Sequence, residues 1–270
     1  MAELGNGGLK LRIMSALVLM PLALAAAWFG WPWLPALVAA ASAGMAVEWA
    51  RLVDGGPSSS RALIIATVLA ATVLAAFSYP AAACAVAVMG AAAVGAQTVG
   101  RGAPAPLWTA GGTAWLALSC VAFIWIAALA GRATVLWLLV LVWSVDVAAY
   151  AAGNAIGGPK LAPVLSPKKT WAGFFGGLAG AAAAGAGVAV ATNGDLAVVA
   201  LASIVLGFAA QLGDLVESVA KRRFNVKDTG GLIPGHGGLL DRLDSLLAAA
   251  LALAALILLT GAPPLQWQTL

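Results

Sequence analysis

Residues 211–245 hold most of the polar side chains in this chain that could do chemistry. Five of the ten acids are interleaved there with five bases and the only histidine. The acids are Asp214, Glu217, Asp228, Asp241 and Asp244, and the bases are Lys221, Arg222, Arg223, Lys227 and Arg242. Acids and bases this dense, between two apolar runs, favour a metal-assisted site for phosphate-rich ligands at a membrane surface.

The spacing of the acids predicts two helical faces. Asp214, Glu217 and Ser218 stand at i, i+3 and i+4 near the end of one helix. Asp241 and Asp244 stand at i and i+3 near the start of the next. Two acidic faces that meet across a loop would suit Mg²⁺, which takes one or two carboxylates together with waters and substrate phosphates. The GHGG turn between them adds glycine amides in conformations that bind anions.

The elements that must position these residues are membrane helices. Hydrophobic residues make up 63% of the 270 and charged residues only 9%, against about 25% in soluble domains. Nine apolar runs of roughly spanning length are predicted, near 13–29, 33–50, 62–79, 81–98, 107–130, 133–152, 172–192, 196–217 and 239–260. The predicted fold is therefore all-α, a polytopic integral membrane protein of about nine transmembrane helices. We expect residues 1–270 to form a single membrane domain, with N-terminal helices over about 1–130 and a second group over about 133–260.

The lysines and arginines predict which side of the membrane carries the site. With the N-terminus inside, thirteen of the fourteen basic residues fall in inside segments and only Arg132 falls outside. This is the asymmetry of the positive-inside rule. It predicts a cytoplasm-facing polar site, a cytoplasmic N-terminus and a C-terminus outside. Anionic lipid headgroups account for the net charge of +4, so no nucleic-acid partner is expected.

Two further acids lie in apolar runs. Asp146 and Tyr150 are one turn apart on the sixth predicted helix. An acid within the membrane costs about 2.5–3.5 kcal/mol on insertion scales, so we expect Asp146 to face protein or water and to act in function. Glu48, near the end of the second predicted helix, is assigned a structural role instead.

Two blocks of motif residues carry a resemblance. One block comprises Ser218, Lys221-Arg222, Lys227-Asp228, Pro234-Gly235-His236-Gly237-Gly238 and Asp241-Arg242-Leu243-Asp244, and the other comprises Ser166-Pro167-Lys168-Lys169-Thr170-Trp171, Gly173 and Gly176-Gly177. They resemble the signatures of the phosphatidate cytidylyltransferases, also called CDP-diacylglycerol synthases. The resemblance is strong over 146–244, whereas the N-terminal half is similar only in being hydrophobic. Ala172 departs from the pattern because Glu usually stands there, and Ala220 stands where a larger aliphatic residue is commoner.

The resemblance implies a Mg²⁺-dependent enzyme that transfers a cytidylyl group from CTP to phosphatidate, giving CDP-diacylglycerol and pyrophosphate. The lipid bilayer is the third partner, and a bacterial cytoplasmic membrane is the expected location. A second metal ion and a homodimer are left open. Metal and cationic side chains would relieve the repulsion between the phosphatidate phosphate and the α-phosphate of CTP.

Roles are assigned to residues of these blocks and also to Asp146 and Asp214, which lie outside the blocks and are chosen for their placement on predicted helices. The predicted catalytic residues are Asp214, Lys221, Arg222, Asp241, Arg242 and Asp244, and the predicted metal ligands are Asp214, Asp241 and Asp244. The predicted substrate-binding residues are Asp146, Ser166, Lys168, Lys169, Thr170, Ser218, Lys227, His236, Gly237 and Gly238.

Two alternatives stay open at this point. An ion-coupled transporter would place its acids at the bilayer midplane, whereas these acids cluster at predicted helix ends. Another lipid-phosphate nucleotidyl- or phosphotransferase is the second alternative, although the DGxxAR…GxxxDxxxD pattern of the CDP-alcohol phosphotransferases is absent.

Overall fold

A computed structural model describes residues 6–53, 59–102, 105–232 and 237–267. The α-helices are α1 (Asn6–Phe29), α2 (Trp33–Val53), α3 (Ser59–Ala76), α4 (Pro80–Gly100), α5 (Pro106–Ala155), α6 (Trp171–Thr192), α7 (Leu196–Arg223) and α8 (Leu240–Thr260). Two short strands, β1 (Lys160–Ala162) and β2 (Ser166–Thr170), and a 3₁₀ turn (Pro264–Gln266) complete the secondary structure of these residues.

The predicted all-α polytopic membrane fold is confirmed. Within the described residues, six helices are long and apolar enough to cross a membrane, and Leu17–Phe29 and Ser60–Ala76 are shorter apolar helical stretches. The count of nine spanning helices is not confirmed, because only six of the described helices are long and apolar enough. The fifth and sixth predicted runs both lie within α5, which is kinked between them. The two runs meet at Gly131, whose φ of 72° and ψ of −177° leave the helical region. That conformation favours glycine, which has no Cβ to clash.

Two local elements differ from the sequence prediction. Helix α7 continues to Arg223, six residues beyond the predicted end, since lysine and arginine are good helix formers. Lys221 and Arg222 therefore lie on a helix and not in a loop. The SPKKT segment forms strand β2, which pairs with β1 in an antiparallel hairpin. A hairpin this short carries no clear signal of alternating hydrophobicity.

The chain divides into two compact units. Unit 1 comprises Met1–Trp125 and Arg223–Leu243, and unit 2 comprises Ile126–Arg222 and Asp244–Leu270. In unit 1, helices α1 to α4 contact one another in chain order. Trp49 lies at the core of this unit, where its Nε1 donates to the Thr109 carbonyl at 3.4 Å.

Unit 2 is packed through small residues. Along α6, a Cβ added to Gly176 would lie 2.3 Å from the Ala152 Cβ, and one added to Gly180 would lie 2.5 Å from the Ala148 Cβ. Helix α6 therefore approaches the last turns of α5 as closely as small residues allow, which is the usual way for helices to associate in lipid.

Candidate active site

Three carboxylates converge in unit 2. Asp214 and Glu217 lie on α7, and Asp244 lies in the first turns of α8. Each of the three offers an oxygen within 4.8 Å of the others. Glu217 and Asp244 are only 2% and 6% exposed, whereas Asp214 is half-buried. We call these three residues the carboxylate cluster. Three like charges at this separation repel strongly away from water, so the cluster needs cations nearby.

Gly213 allows the two helices to bring the cluster together. A Cβ at this position would lie 2.5 Å from the Ala248 Cβ and 2.7 Å from the Asp244 carbonyl oxygen. Helices α7 and α8 therefore touch backbone to backbone, immediately beside Asp214. The i, i+3 spacing of Asp214 and Glu217 then turns both side chains to the same face of α7.

Two lysines neutralise part of the cluster. Lys169, on β2, lies with its Nζ 2.6 Å from Asp214 Oδ2. Lys221 pairs with Glu217 one turn along α7. Asp244 accepts the Ser245 amide at 2.7 Å. Lys169 and Lys221 thus each face one carboxylate of the cluster.

The β-hairpin is held beside the ends of α6 and α7. Thr170 caps α6, because its hydroxyl accepts the Gly173 amide at 3.1 Å. Arg222 donates from Nε to the Leu165 carbonyl at 3.3 Å, which ties the end of α7 to the turn between the strands. These contacts fix the strand that carries Lys169.

Unit 1 contains a second group of acids, Glu48 and Asp241, which we call the amide-bound pair. Glu48 accepts the Leu239 and Leu240 amides at 2.9 and 2.8 Å. Asp241 Oδ2 accepts the Gly238 amide at 2.9 Å and the Thr229 amide at 3.0 Å. The amides of 238–240, predicted in part to bind anions, are therefore directed at the protein's own carboxylates.

The other predicted catalytic and substrate-binding residues are distributed as follows. Lys168, Lys227, Arg222 and Arg242 are exposed, Ser166 is half-buried, and Ser218 and Thr170 are buried. Asp146 is exposed on α5. Gly237 has a φ of 84°, as a tight glycine turn requires. His236 lies outside the described residues.

The structure shows partners of two acids that the sequence did not predict. Glu217 joins the carboxylate cluster but was not among the predicted metal ligands, although its i+3 spacing from Asp214 was visible. Glu48 was assigned a structural role, and nothing in the sequence around it indicated partners about 190 residues away.

Comparison with known proteins identifies the family. The sequence model of the cytidylyltransferase family matches residues 10–260. The chain belongs to the cytidylyltransferase family. This confirms the predicted resemblance, and the match extends well into the N-terminal half, where the motif blocks gave no specific signal.

Individual members of the cytidylyltransferase family are also similar over part of this chain. "Phosphatidate cytidylyltransferase" of Brucella suis biovar 1 (strain 1330) is 53% identical over 134 residues, which are 49% of this chain and 48% of the relative. The protein of the same name from Pseudomonas aeruginosa is 42% identical over 126 residues, 46% of each chain. That from Staphylococcus epidermidis is 44% identical over 119 residues, 43% of this chain and 46% of the relative. The chain thus matches about half the length of these relatives.

The carboxylate cluster fits a divalent cation by the chemistry of its donors. All three side chains offer carboxylate oxygens, which Mg²⁺ and Ca²⁺ prefer over nitrogen or sulfur ligands. The burial of Glu217 and Asp244 is the second reason. A carboxylate cluster buried to this degree is stable only with its charge compensated.

Proposed function

We propose that this protein transfers a cytidylyl group from CTP to phosphatidate, giving CDP-diacylglycerol and pyrophosphate. The observation that carries the proposal is the carboxylate cluster with its two lysines, in a membrane protein of the cytidylyltransferase family. The names of the relatives, which match this chain over about half their length, support the same lipid and nucleotide.

The reaction needs charge compensation more than it needs a base. A phosphate monoester carries roughly −1.5 to −2 charge near pH 7, so phosphatidate is already nucleophilic. Its oxygen forms a bond to the α-phosphorus of CTP, and the bond from that phosphorus to the pyrophosphate oxygen breaks. Both reactants and the leaving group are anionic. Lys169 and Lys221, held beside the carboxylates, supply fixed positive charge where these anions would meet.

Asp214, Glu217 and Asp244 would hold a divalent cation, which supplies neutralisation of the phosphates when bound. Mg²⁺ is our assignment, because it combines few protein carboxylates with substrate phosphates. Asp241 stays a predicted ligand, and a second ion stays open. The exposed cations Lys168, Lys227, Arg222 and Arg242 are proposed to bind the phosphates of the two substrates.

An assay of the purified protein in detergent tests the proposed reaction. Product should form only with phosphatidate, a divalent ion and labelled CTP together, and ATP should be a much poorer donor. Release of labelled pyrophosphate in equal amount would establish the balance of the reaction. Absence of product over a full titration of Mg²⁺ would refute the proposal, and CTP-independent solute movement in vesicles would favour a transporter.

We propose that the site faces the cytoplasm of a bacterial cell, on the distribution of basic residues. Helix α6 has 22 residues and is therefore about 33 Å long at 1.5 Å per residue, enough to cross the hydrocarbon core. Pro167 precedes this helix, and Asn193 follows it. Both are exposed.

This sidedness can be tested in a variant in which Cys84 and Cys120 are alanine. A single cysteine at Asn193 should react with an impermeant thiol reagent in intact cells, whereas one at Pro167 should react only after lysis. The reverse pattern would place the site outside.

A further inference from the structure

Glu48 is the most deeply buried of the acids that the structure describes in unit 1, and its partners are far away in sequence. Its exposed fraction is 0%. The Leu239 amide donates to Oε1 at 2.9 Å and the Leu240 amide donates to Oε2 at 2.8 Å. These two amides belong to the entry of α8, 191 and 192 residues downstream. The Glu48 carboxylate on α2 therefore binds the backbone at the start of α8.

Thr229 connects Glu48 to Asp241. The Thr229 hydroxyl donates to Glu48 Oε2 at 3.4 Å, while its backbone amide donates to Asp241 Oδ2 at 3.0 Å. Asp241 also accepts the Gly238 amide at 2.9 Å. The two carboxylates thus hold Thr229 on one side and residues 238–240 on the other.

Gly230 and Gly238 let the backbone at these two positions approach Glu48. A Cβ on Gly230 would lie 2.4 Å from Glu48 Oε1. A Cβ on Gly238 would lie 2.8 Å from Glu48 Oε2 and 2.2 Å from the Thr229 hydroxyl oxygen. The backbone therefore approaches the Glu48 side chain as closely as glycine permits, and the carboxylate has little room to move.

We propose that Glu48 is a positioning residue for cytidylyl transfer. Through the amides of Leu239 and Leu240, it fixes the start of the helix that presents Asp241 and Arg242. The proposal rests on the proposed function. The N-terminal half of the chain, through Glu48, would then order the residues around Asp241 and Arg242 in addition to anchoring the protein in the membrane.

A carboxylate suits this position because it offers acceptors only. Glutamine in its place would keep the shape and one acceptor oxygen but would turn an NH₂ group toward a backbone N–H donor. One amide at the entry of α8 would then lose its partner in a buried setting, and the segment would shift to satisfy it. Misplacement of reacting groups by about 1 Å costs on the order of a hundredfold in rate.

The test compares Glu48→Gln with Ser42→Ala, both in detergent-purified protein. Ser42 is a matched control, since it is buried on the same helix and its hydroxyl donates only within α2, to the Ala39 carbonyl. Glu48→Gln should speed hydrogen exchange in a peptide spanning 237–242 and lower kcat about tenfold to a hundredfold per folded molecule, with the KM for CTP changed less than kcat. Ser42→Ala should leave both unchanged.

A milder pair of variants covers the case in which Glu48→Gln fails to fold. Thr229→Val removes the hydroxyl that donates to Glu48 but keeps the backbone amide on Asp241, whereas Thr229→Ser keeps both. We expect a few-fold lower kcat and faster exchange at 237–242 in Thr229→Val, and near wild-type values in Thr229→Ser.

Two results would overturn the proposal. Unchanged hydrogen exchange at 237–242 in both Glu48→Gln and Thr229→Val would show that Glu48 does not hold the start of α8. Faster exchange with a kcat within twofold of wild type would show that Glu48 is structural only. A wild-type protein that forms no product would refute the proposed function separately. The hydrogen-exchange comparison alone would then show whether Glu48 holds the start of α8.

Discussion

The carboxylate cluster and the amide-bound pair contain the same kind of side chain in opposite surroundings. Asp214, Glu217 and Asp244 face one another, and two of them pair with lysines. Glu48 and Asp241 instead accept backbone amides, Glu48 from Leu239 and Leu240 and Asp241 from Thr229 and Gly238. In the first group the carboxylates lie close to one another, whereas in the second group each carboxylate is stabilised by backbone N–H dipoles.

The difference separates acids that the backbone already holds from acids that a cation would stabilise. A carboxylate whose oxygens accept amides is already stabilised in one orientation, and its main effect is on the backbone that donates to it. Carboxylates that face each other gain stability from a cation, so they are suited to an ion that also binds substrate phosphates. Burial alone does not separate the two groups, since Glu48, Glu217 and Asp244 are all nearly inaccessible.

The largest effect should come from removing charge from the cluster. Asp214→Asn keeps the shape of the side chain but weakens any bond to a cation. Removing a residue that only supports a metal ligand lowers metal affinity or activity roughly 10–100-fold. We expect Asp214→Asn to lose more turnover than that. Initial rates across a Mg²⁺ titration, normalised to folded protein, measure this. Near-normal rates with unchanged metal dependence would remove Asp214 from the proposed metal site.

Separating the helices should have the next largest effect. Gly213→Ala places a Cβ 2.5 Å from Ala248 and 2.7 Å from the Asp244 carbonyl, so α7 and α8 must move apart. Overpacking of this kind costs about 1–3 kcal/mol of stability, and the shift of the cluster should lower turnover about a hundredfold.

Gly187→Ala is the control for this change, because nothing lies within 4 Å of a Cβ added there on α6. Its thermal midpoint in detergent and its turnover should stay close to those of the wild type. Equal behaviour of the two glycine variants would show that the α7–α8 contact does not set the geometry of the cluster.

The smallest effect of the three is expected for Asp241→Asn. Asparagine keeps a carbonyl oxygen that accepts the Thr229 and Gly238 amides, although without the charge that strengthens these bonds. A weakening of about 1 kcal/mol corresponds to a fall in turnover of roughly fivefold to tenfold. A fall as large as that of Asp214→Asn, with altered Mg²⁺ dependence, would make Asp241 a metal ligand and erase the contrast between the two groups.

Much of the fold follows from local patterns in the sequence. The apolar runs predicted α2, α4, α6 and α8 closely, since a membrane helix must satisfy its backbone internally over a fixed length. Helical spacing also placed Asp214 and Glu217 on one face. The motif blocks predicted the family, which the match over 10–260 confirms.

The partners of each acid were decided only by tertiary structure. Asp241 and Asp244 stand one turn apart on α8, and their spacing predicted a shared role. Asp241 nevertheless accepts the Thr229 and Gly238 amides. Asp244 instead lies beside Asp214 and Glu217 of α7. Periodicity gives the direction of a side chain around its own helix and says nothing of what packs there. That depends on the approach of α7 to α8 at Gly213, and on a contact between Glu48 and residues about 190 positions away, which no local pattern encodes.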